Sequence, residues 1–210
     1  MNNKITNILA KNTGIMCPIR KLNHYHLLSR VLDKNIDGDI VECGCFVGNS
    51  TQILAAVLED CGVDKTLYLY DSFSGLPEFH ENDQPHTTVH KRGDFATTQD
   101  ILINNLSIFN IKKQIFAGWF NETIPTNLPN KICYAHLDGD LYDSIKIPLE
   151  HIYPRLVSGA ICVIDDYDYN QFPGAKQATN EFLADKKEKL NTFCIKPTFS
   201  NVYHAYFQKL

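Results

Sequence analysis

Two short apolar runs, Ile132 to Leu137 and Ala160 to Ile164, each close on acids: Asp138-Gly139-Asp140 after the first, Asp165-Asp166-Tyr167 after the second. Runs of five or six residues with little polar alternation read as strands buried on both faces. A helix-like stretch and a Gly159 stop separate them. Strands joined in this way lie in a parallel sheet, whose carboxyl ends face one crevice. The two acid groups are therefore expected to meet. Neighbouring carboxylates raise one another's pKa unless a cation joins them. An all-oxygen set suits a hard divalent ion, Mg2+.

The remaining chain repeats the same alternation. Leu22 to Leu32 has helical spacing, on Leu22, Tyr25, Leu28, Val31 and Leu32. Ile40 to Cys43 reads as a first strand, Thr66 to Tyr70 as a second and Gln114 to Ala117 as a third. Ser50 and Thr51 are placed to cap a helix that stops near Gly62, and Asp100 to Phe109 is helical. Ala175 to Lys189 reads as an amphipathic helix. Thr192 to Lys196 and Val202 to Gln208 alternate around Ser200-Asn201 as a hairpin. The expected fold is α/β, a doubly wound, mostly parallel sheet with an antiparallel edge at its C-terminal end. Residues 1–210 are read as one domain with an N-terminal arm or helix over 1–30. Residues 72–95 form a long loop, carrying His80, His86 and His90, of the kind that serves as a lid.

Composition excludes several classes. The net charge is −4, with no basic run, so no nucleic-acid partner is expected. No apolar stretch spans a bilayer and no leader-like segment opens the chain, so a cytoplasmic, membrane-free protein is expected. Cys43, Cys133 and Cys162 sit in apolar runs as buried thiols. Cys43-x-Cys45 has no second pair at zinc-like spacing.

The segment Glu42-Cys43-Gly44-Cys45-Phe46-Val47-Gly48-Asn49-Ser50-Thr51 links the first strand to the first helix of the sheet. Its glycines allow close approach of a ligand, and the helix N-terminus offers N–H donors. Without a P-loop Lys it suits a carboxylate better than a pyrophosphate. Asp71 ends the second strand, where such folds grip ribose hydroxyls. Ser72-Phe73-Ser74-Gly75-Leu76-Pro77 and Ala117-Gly118-Trp119-Phe120 bring aromatics to strand ends, suited to stacking on a base. His136 reads as a packed, hydrogen-bonded core imidazole.

In this order, E-C-G-C-F-V-G-N-S-T, Y-D-S-F-S-G-L-P, A-G-W-F-N-E-T-I-P, H-L-D-G-D-L-Y-D-S and I-D-D-Y resemble the macrocin O-methyltransferase family over about Arg30 to Leu183. The resemblance implies a class I methyltransferase (Rossmann-like) sheet with a reversed last strand. It implies S-adenosylmethionine and Mg2+ as cofactors, with a small-molecule hydroxyl acceptor, a sugar or sugar nucleotide. By position, Glu42, Gly44 and Gly48, followed by Ser50 and Thr51, would cradle the methionine part of the cofactor. Asp71 would hold the ribose, with Ser72 and Phe73 beside the adenosine and Gly118 and Trp119 beside the adenine. Asp138, Asp165 and Asp166 would hold the metal, and Asp138 would be the general base, so Asp165→Ala is expected to abolish turnover while cofactor still binds. Catechol-type relatives place a Lys base where this chain has Leu141. A phenolic acceptor and a non-catalytic scaffold remain the alternatives. The polar arm and the aromatic hairpin are the surfaces by which a homodimer would form.

Overall fold

The computed structural model describes residues 3–11, 16–83, 89–195 and 202–210. His86 and the Ser200-Asn201 turn lie outside them. Seven strands form one sheet: β1 (Asp39–Cys43), β2 (Thr66–Asp71), β3 (Lys112–Ala117), β4 (Ile132–Leu137), β5 (Leu156–Tyr167), β6 (Asn191–Ile195) and β7 (Val202–Gln208). Their order is β3-β2-β1-β4-β5-β7-β6. The first five are parallel, whereas β7 runs antiparallel to both β5 and β6. The hairpin is thus inserted with its second strand innermost. The order reverses beside β1 and β4, so the crevice opens above the ends of those two strands.

Helices cover both faces. One face takes α1 (Asn3–Ala10), α2 (Pro18–Asp33), α3 (Thr51–Cys61) and α4 (Gln99–Leu106). The other takes α5 (Phe120–Asn127), α6 (Tyr142–Ile152) and α7 (Pro173–Leu183). Every residue of β4 is buried. At roughly 1.5–3 kcal/mol for each large apolar side chain fully buried, such a strand belongs at the centre. Cys43, Cys133 and Cys162 are wholly enclosed, as their apolar settings suggest. Among the described residues no helix is long and apolar enough to cross a membrane.

Four boundaries differ from the sequence reading. Helix α2 starts at Pro18, an N1 proline, and buries Arg20, His24, Leu27, Leu28 and Val31, while Leu22 is 40% exposed. Helix α5 lies where only a strand end was read. Helix α7 stops at Leu183 rather than Lys189. Strand β5 runs on through both acids to Tyr167.

The chain beyond α7 is held by Glu188. Its carboxylate accepts hydrogen bonds from Lys209 Nζ (3.0 Å) and Tyr153 Oη (2.9 Å). Burial alone would raise its pKa, but these donors bring it down to about 2. A depressed acid stabilises the fold above its unfolded pKa and loses that contribution as pH falls through the folded value. We expect Glu188→Gln to cost about 1–2 kcal/mol at pH 7. In urea melts the gap to wild type should narrow steadily below the ordinary glutamate pKa. A gap that widens in acid would disprove this role.

Candidate active site

The strand ends are locked together before any ligand is considered. Asp138 N–H donates to Cys43 O (2.8 Å), Gly44 N–H to Tyr70 O (2.9 Å) and Gly118 N–H to Asp71 O (3.0 Å). These bonds carry the ladder one residue past the strands, so the loops leave from a fixed edge. Over this edge lies a cavity of about 910 Å³.

On one side, Asp71 accepts the backbone N–H of Phe46 through Oδ2 and of Phe73 through Oδ1, each at 2.7 Å. Both phenylalanines have positive φ, 46° and 54°. Such angles are costly for bulky residues and persist where the surroundings enforce them. Asp71 does so here. Burial raises its pKa, and the two N–H donors oppose that rise. A carboxylate has lone pairs beyond those two bonds, so it can still accept from a diol.

On the other side the acids converge. Carboxylate oxygens of Asp138, Asp140 and Asp166 lie within 4.8 Å of one another. Backbone distortion brings them there. Asp140 has φ 64° and Asp166 φ 51°, and the β5–β7 register shifts between Ile164 and Tyr167. This bulge puts two consecutive acids to use, where a regular strand would send them to opposite faces. Burial, followed by the neighbouring carboxylates, pushes Asp138 and Asp140 well up; Asp166 is raised by burial against the pull of Arg20.

Asp165 is different. It contacts Arg20 Nη2, and that same nitrogen is 3.5 Å from Asp166. Burial would raise Asp165, yet Arg20, His204 and His136 hold it well below the carboxylate range. Behind it, Glu42 receives His136 Nδ1 at 3.0 Å. Burial works against charge on His136, but Asp165 and Glu42 raise it to about 10.

The expected site residues therefore divide. Gly44, Ser50, Asp71, Ser72, Trp119, Asp138 and Asp166 line the cavity. Glu42 and Thr51 are wholly buried beneath it, Gly48 packs on Leu102, Phe73 packs on the core, and Gly118 faces Thr123. Ser50 stands at the N-cap of α3 without a side-chain capping bond. Of the expected metal set, Asp138 and Asp166 gather with Asp140. Asp165 falls in an overlapping group with His136 and Asp138.

The sequence profile of the macrocin O-methyltransferase family (TylF) matches residues 12–203. The chain belongs to this family. It is an enzyme, an S-adenosylmethionine-dependent O-methyltransferase. It is 28% identical over 182 residues to demethyldecarbamoylnovobiocin O-methyltransferase of Streptomyces niveus, covering 82% of this chain and 69% of that one. It is 31% identical over 153 residues to the 8-demethyl-8-(2,3-dimethoxy-α-L-rhamnosyl)-tetracenomycin-C 4'-O-methyltransferase of Streptomyces olivaceus, covering 69% of this chain and 59% of the relative. The solved structure of the O-methyltransferase NovP superposes with a TM-score of 0.80 at 25% identity, over 95% of this chain and 83% of that one.

Three features of the cavity and its surroundings went unread in the sequence. Arg20 stands on the cavity wall among the acids. Its signal was Pro18, which starts α2 early enough to put Arg20 one turn before His24. Phe95, Tyr169 and Phe172 make an aromatic wall; His90, already read on the long loop, stacks on Phe172 at 4.9 Å and bonds Gln171 Oε1 at 2.8 Å. The third is the anchor of the long loop. Asp83, 1% exposed, accepts Tyr142 N–H (2.8 Å) and His80 N–H (2.9 Å). It thereby caps α6 from outside that helix. A Cβ on Gly174 would fall 1.9 Å from its Oδ1, so the pocket is cut to fit. Asp83→Ala strands two buried donors, and we expect a loss of about 2–4 kcal/mol in chemical unfolding. A loss under 0.5 kcal/mol would mean that the loop is held by something else.

Proposed function

We propose that the enzyme methylates a hydroxyl of a sugar or sugar nucleotide in natural-product or polysaccharide assembly, with Mg2+ at its acid cluster. The observation that carries the reading is the convergence of Asp138, Asp140 and Asp166 on one cavity wall, beside an Asp71 pocket that suits a ribose. The relatives named above support it, one by a sugar in its printed name. The donor set fits the ion: oxygen only, negatively charged and already crowded, as a hard cation requires. Asp138 and Asp166 would hold it, with Asp140 or Asp165 completing the set; when bound it would supply Lewis-acid stabilisation of the acceptor oxygen's negative charge.

The chain's own residues do the remaining work. Asp71 fixes the ribose end of the cofactor, and the turn at Gly44 admits the methionine end. S-adenosylmethionine supplies an already activated methyl group, so orientation and deprotonation dominate the barrier. Asp138 takes the acceptor proton. Arg20 keeps Asp165 ionised and fixes the orientation of β5 at the bulge. The aromatic wall and the loop residues 72–83 and 89–95 exclude water and select the acceptor, with Asp83 as their anchor.

Methyl transfer from labelled S-adenosylmethionine to deoxysugar nucleotides and rhamnosides tests the reading. We expect one to be methylated on a hydroxyl, with activity falling at least about 100-fold in excess EDTA while S-adenosylhomocysteine affinity is unchanged. Full activity in EDTA removes the ion. Methylation of phenols alone, with sugars untouched, replaces the acceptor class.

A further inference from the structure

Beneath the active site lies a second cluster that the methyl-transfer chemistry leaves unused. His24 of α2, His136 of β4 and His204 of β7 are all fully buried. One ring nitrogen from each lies within 4.8 Å of the others. Their ring centroids are 4.2, 4.8 and 6.3 Å apart, and their planes cross at 69° to 89°. Rings in contact for packing alone need no common focus. Here each Nδ1 has its own outer partner: Tyr134 Oη at 2.7 Å for His24, Glu42 Oε1 at 3.0 Å for His136 and Asn23 Nδ2 or its amide oxygen at 2.7 Å for His204. Each Nε2 is buried with no hydrogen-bond partner among the described residues. Three unsatisfied buried nitrogens in one protein core are costly unless something joins them.

Asp165, whose carboxylate is held by Arg20, borders this cluster as a counter-charge. Its Oδ2 is 3.7 Å from His136 Nε2 and its Oδ1 is 3.7 Å from His204 Nε2. These separations are too long for hydrogen bonds. Outer hydrogen bonds that orient each imidazole through Nδ1, above all from a carboxylate such as Glu42, are what metal-ligating histidines commonly have.

We infer that His24, His136 and His204 form a buried binding site for a zinc-class transition-metal ion, distinct from the acid cluster. Imidazole donors select Zn2+, Co2+ or Ni2+ over Mg2+, whereas the all-carboxylate set above has the opposite preference. The donors come from positions 24, 136 and 204, so the site exists only in the folded chain. Metal capture is therefore coupled to folding and ties α2 to the sheet.

The test is metal content and spectroscopy on the full chain. Protein produced in zinc-supplemented medium and stripped of loose metal should retain about one zinc per chain, by the single-site geometry. Protein unfolded in chelator and refolded with Co2+ should show the intense visible bands of a low-coordinate nitrogen-rich site. Zinc should raise its Tm by about 5 °C or more relative to refolding in chelator. These signals should vanish in the His24→Gln/His204→Gln double variant and survive in Asp138→Asn. Wild type that holds no zinc, gives only the pale spectrum of hydrated Co2+ and melts alike with and without zinc overturns the inference. So do signals lost in Asp138→Asn but kept in the double variant, which would place the ion at the acid cluster. If the double variant does not fold, the wild-type metal ratio, cobalt spectrum and Asp138→Asn comparison decide alone.

Discussion

Asp138→Asn is expected to lower kcat by about 10³-fold, within the 10²–10⁴ range of general-base removal, equivalent to about 4 kcal/mol in the barrier. The amide keeps the shape of the side chain and leaves the Asp138 N–H to Cys43 O bond intact, but it cannot take a proton. S-adenosylhomocysteine should still bind within about three-fold, because Asp71 and the Gly44 turn are untouched. The folded state should be as stable as wild type or more so. In the native protein this carboxyl is pushed up by burial and by Asp165 and Asp166, which means that its charge opposes folding at neutral pH. Single-turnover kinetics, cofactor calorimetry and a thermal melt on one preparation separate these effects. A variant with kcat within ten-fold of wild type would remove Asp138 as the base; one that lost stability in proportion would make its role structural.

Gly44→Ala is expected to be among the most damaging single methyls at the described glycines. Gly44 has φ +90°, outside the range that alanine adopts readily. Its Cβ would stand 1.9 Å from the carbonyl oxygen and 2.7 Å from the carbonyl carbon of Asp138. Both atoms are backbone, so no side-chain rotation relieves the overlap. To make room, β1 and β4 must part where Asp138 N–H bonds Cys43 O. Backbone strain and overpacking together should cost about 3–5 kcal/mol. The same shift opens the floor between Asp71 and Asp138, so cofactor affinity should fall at least about ten-fold, since ångström displacements forfeit alignment. Urea unfolding and calorimetry with S-adenosylhomocysteine read the two losses. Wild-type stability would show that the turn relaxes freely and that Gly44 is not required by geometry.

Much of the sheet was legible because its signal is composition: β4 and the middle of β5 are apolar on both faces, and only a central position explains that. The helices were less so. On α2 the stripe Leu22, Tyr25, Leu28, Val31 and Leu32 is buried at Leu28, Val31 and Leu32, but Leu22 is exposed and the buried face also carries Arg20 and His24. Hydrophobicity cannot announce a helix face whose partners are Asp165 and two imidazoles. Helix α5 was hidden by Pro125 and a polar sequence. The Lys- and Glu-rich pattern to Lys189 looked helical, yet Glu188 is drawn away by Lys209 and Tyr153.

The site showed the same division. Acids at strand ends, the glycine turn and Asp71 were readable, since each sits where a parallel sheet places its ligands. Which acid faces the cavity was not readable. That depends on the bulge at Asp165 and Asp166, a backbone distortion with no residue signature beyond the pair itself. The role of Asp83 depended on a contact 59 residues away, with Tyr142 N–H.

Strand β7 lies between β5 and β6, and its His204 meets Asn23 and faces Asp165. During synthesis, then, every residue through β7 must leave the ribosome before this corner can close. Until that moment β5 has an unpaired edge beside a buried cluster of charges with its last imidazole missing. A nascent chain in this state exposes a strand edge that invites misassembly, and a chain cut before β7 would keep its helices but leave that edge and the histidine cluster open.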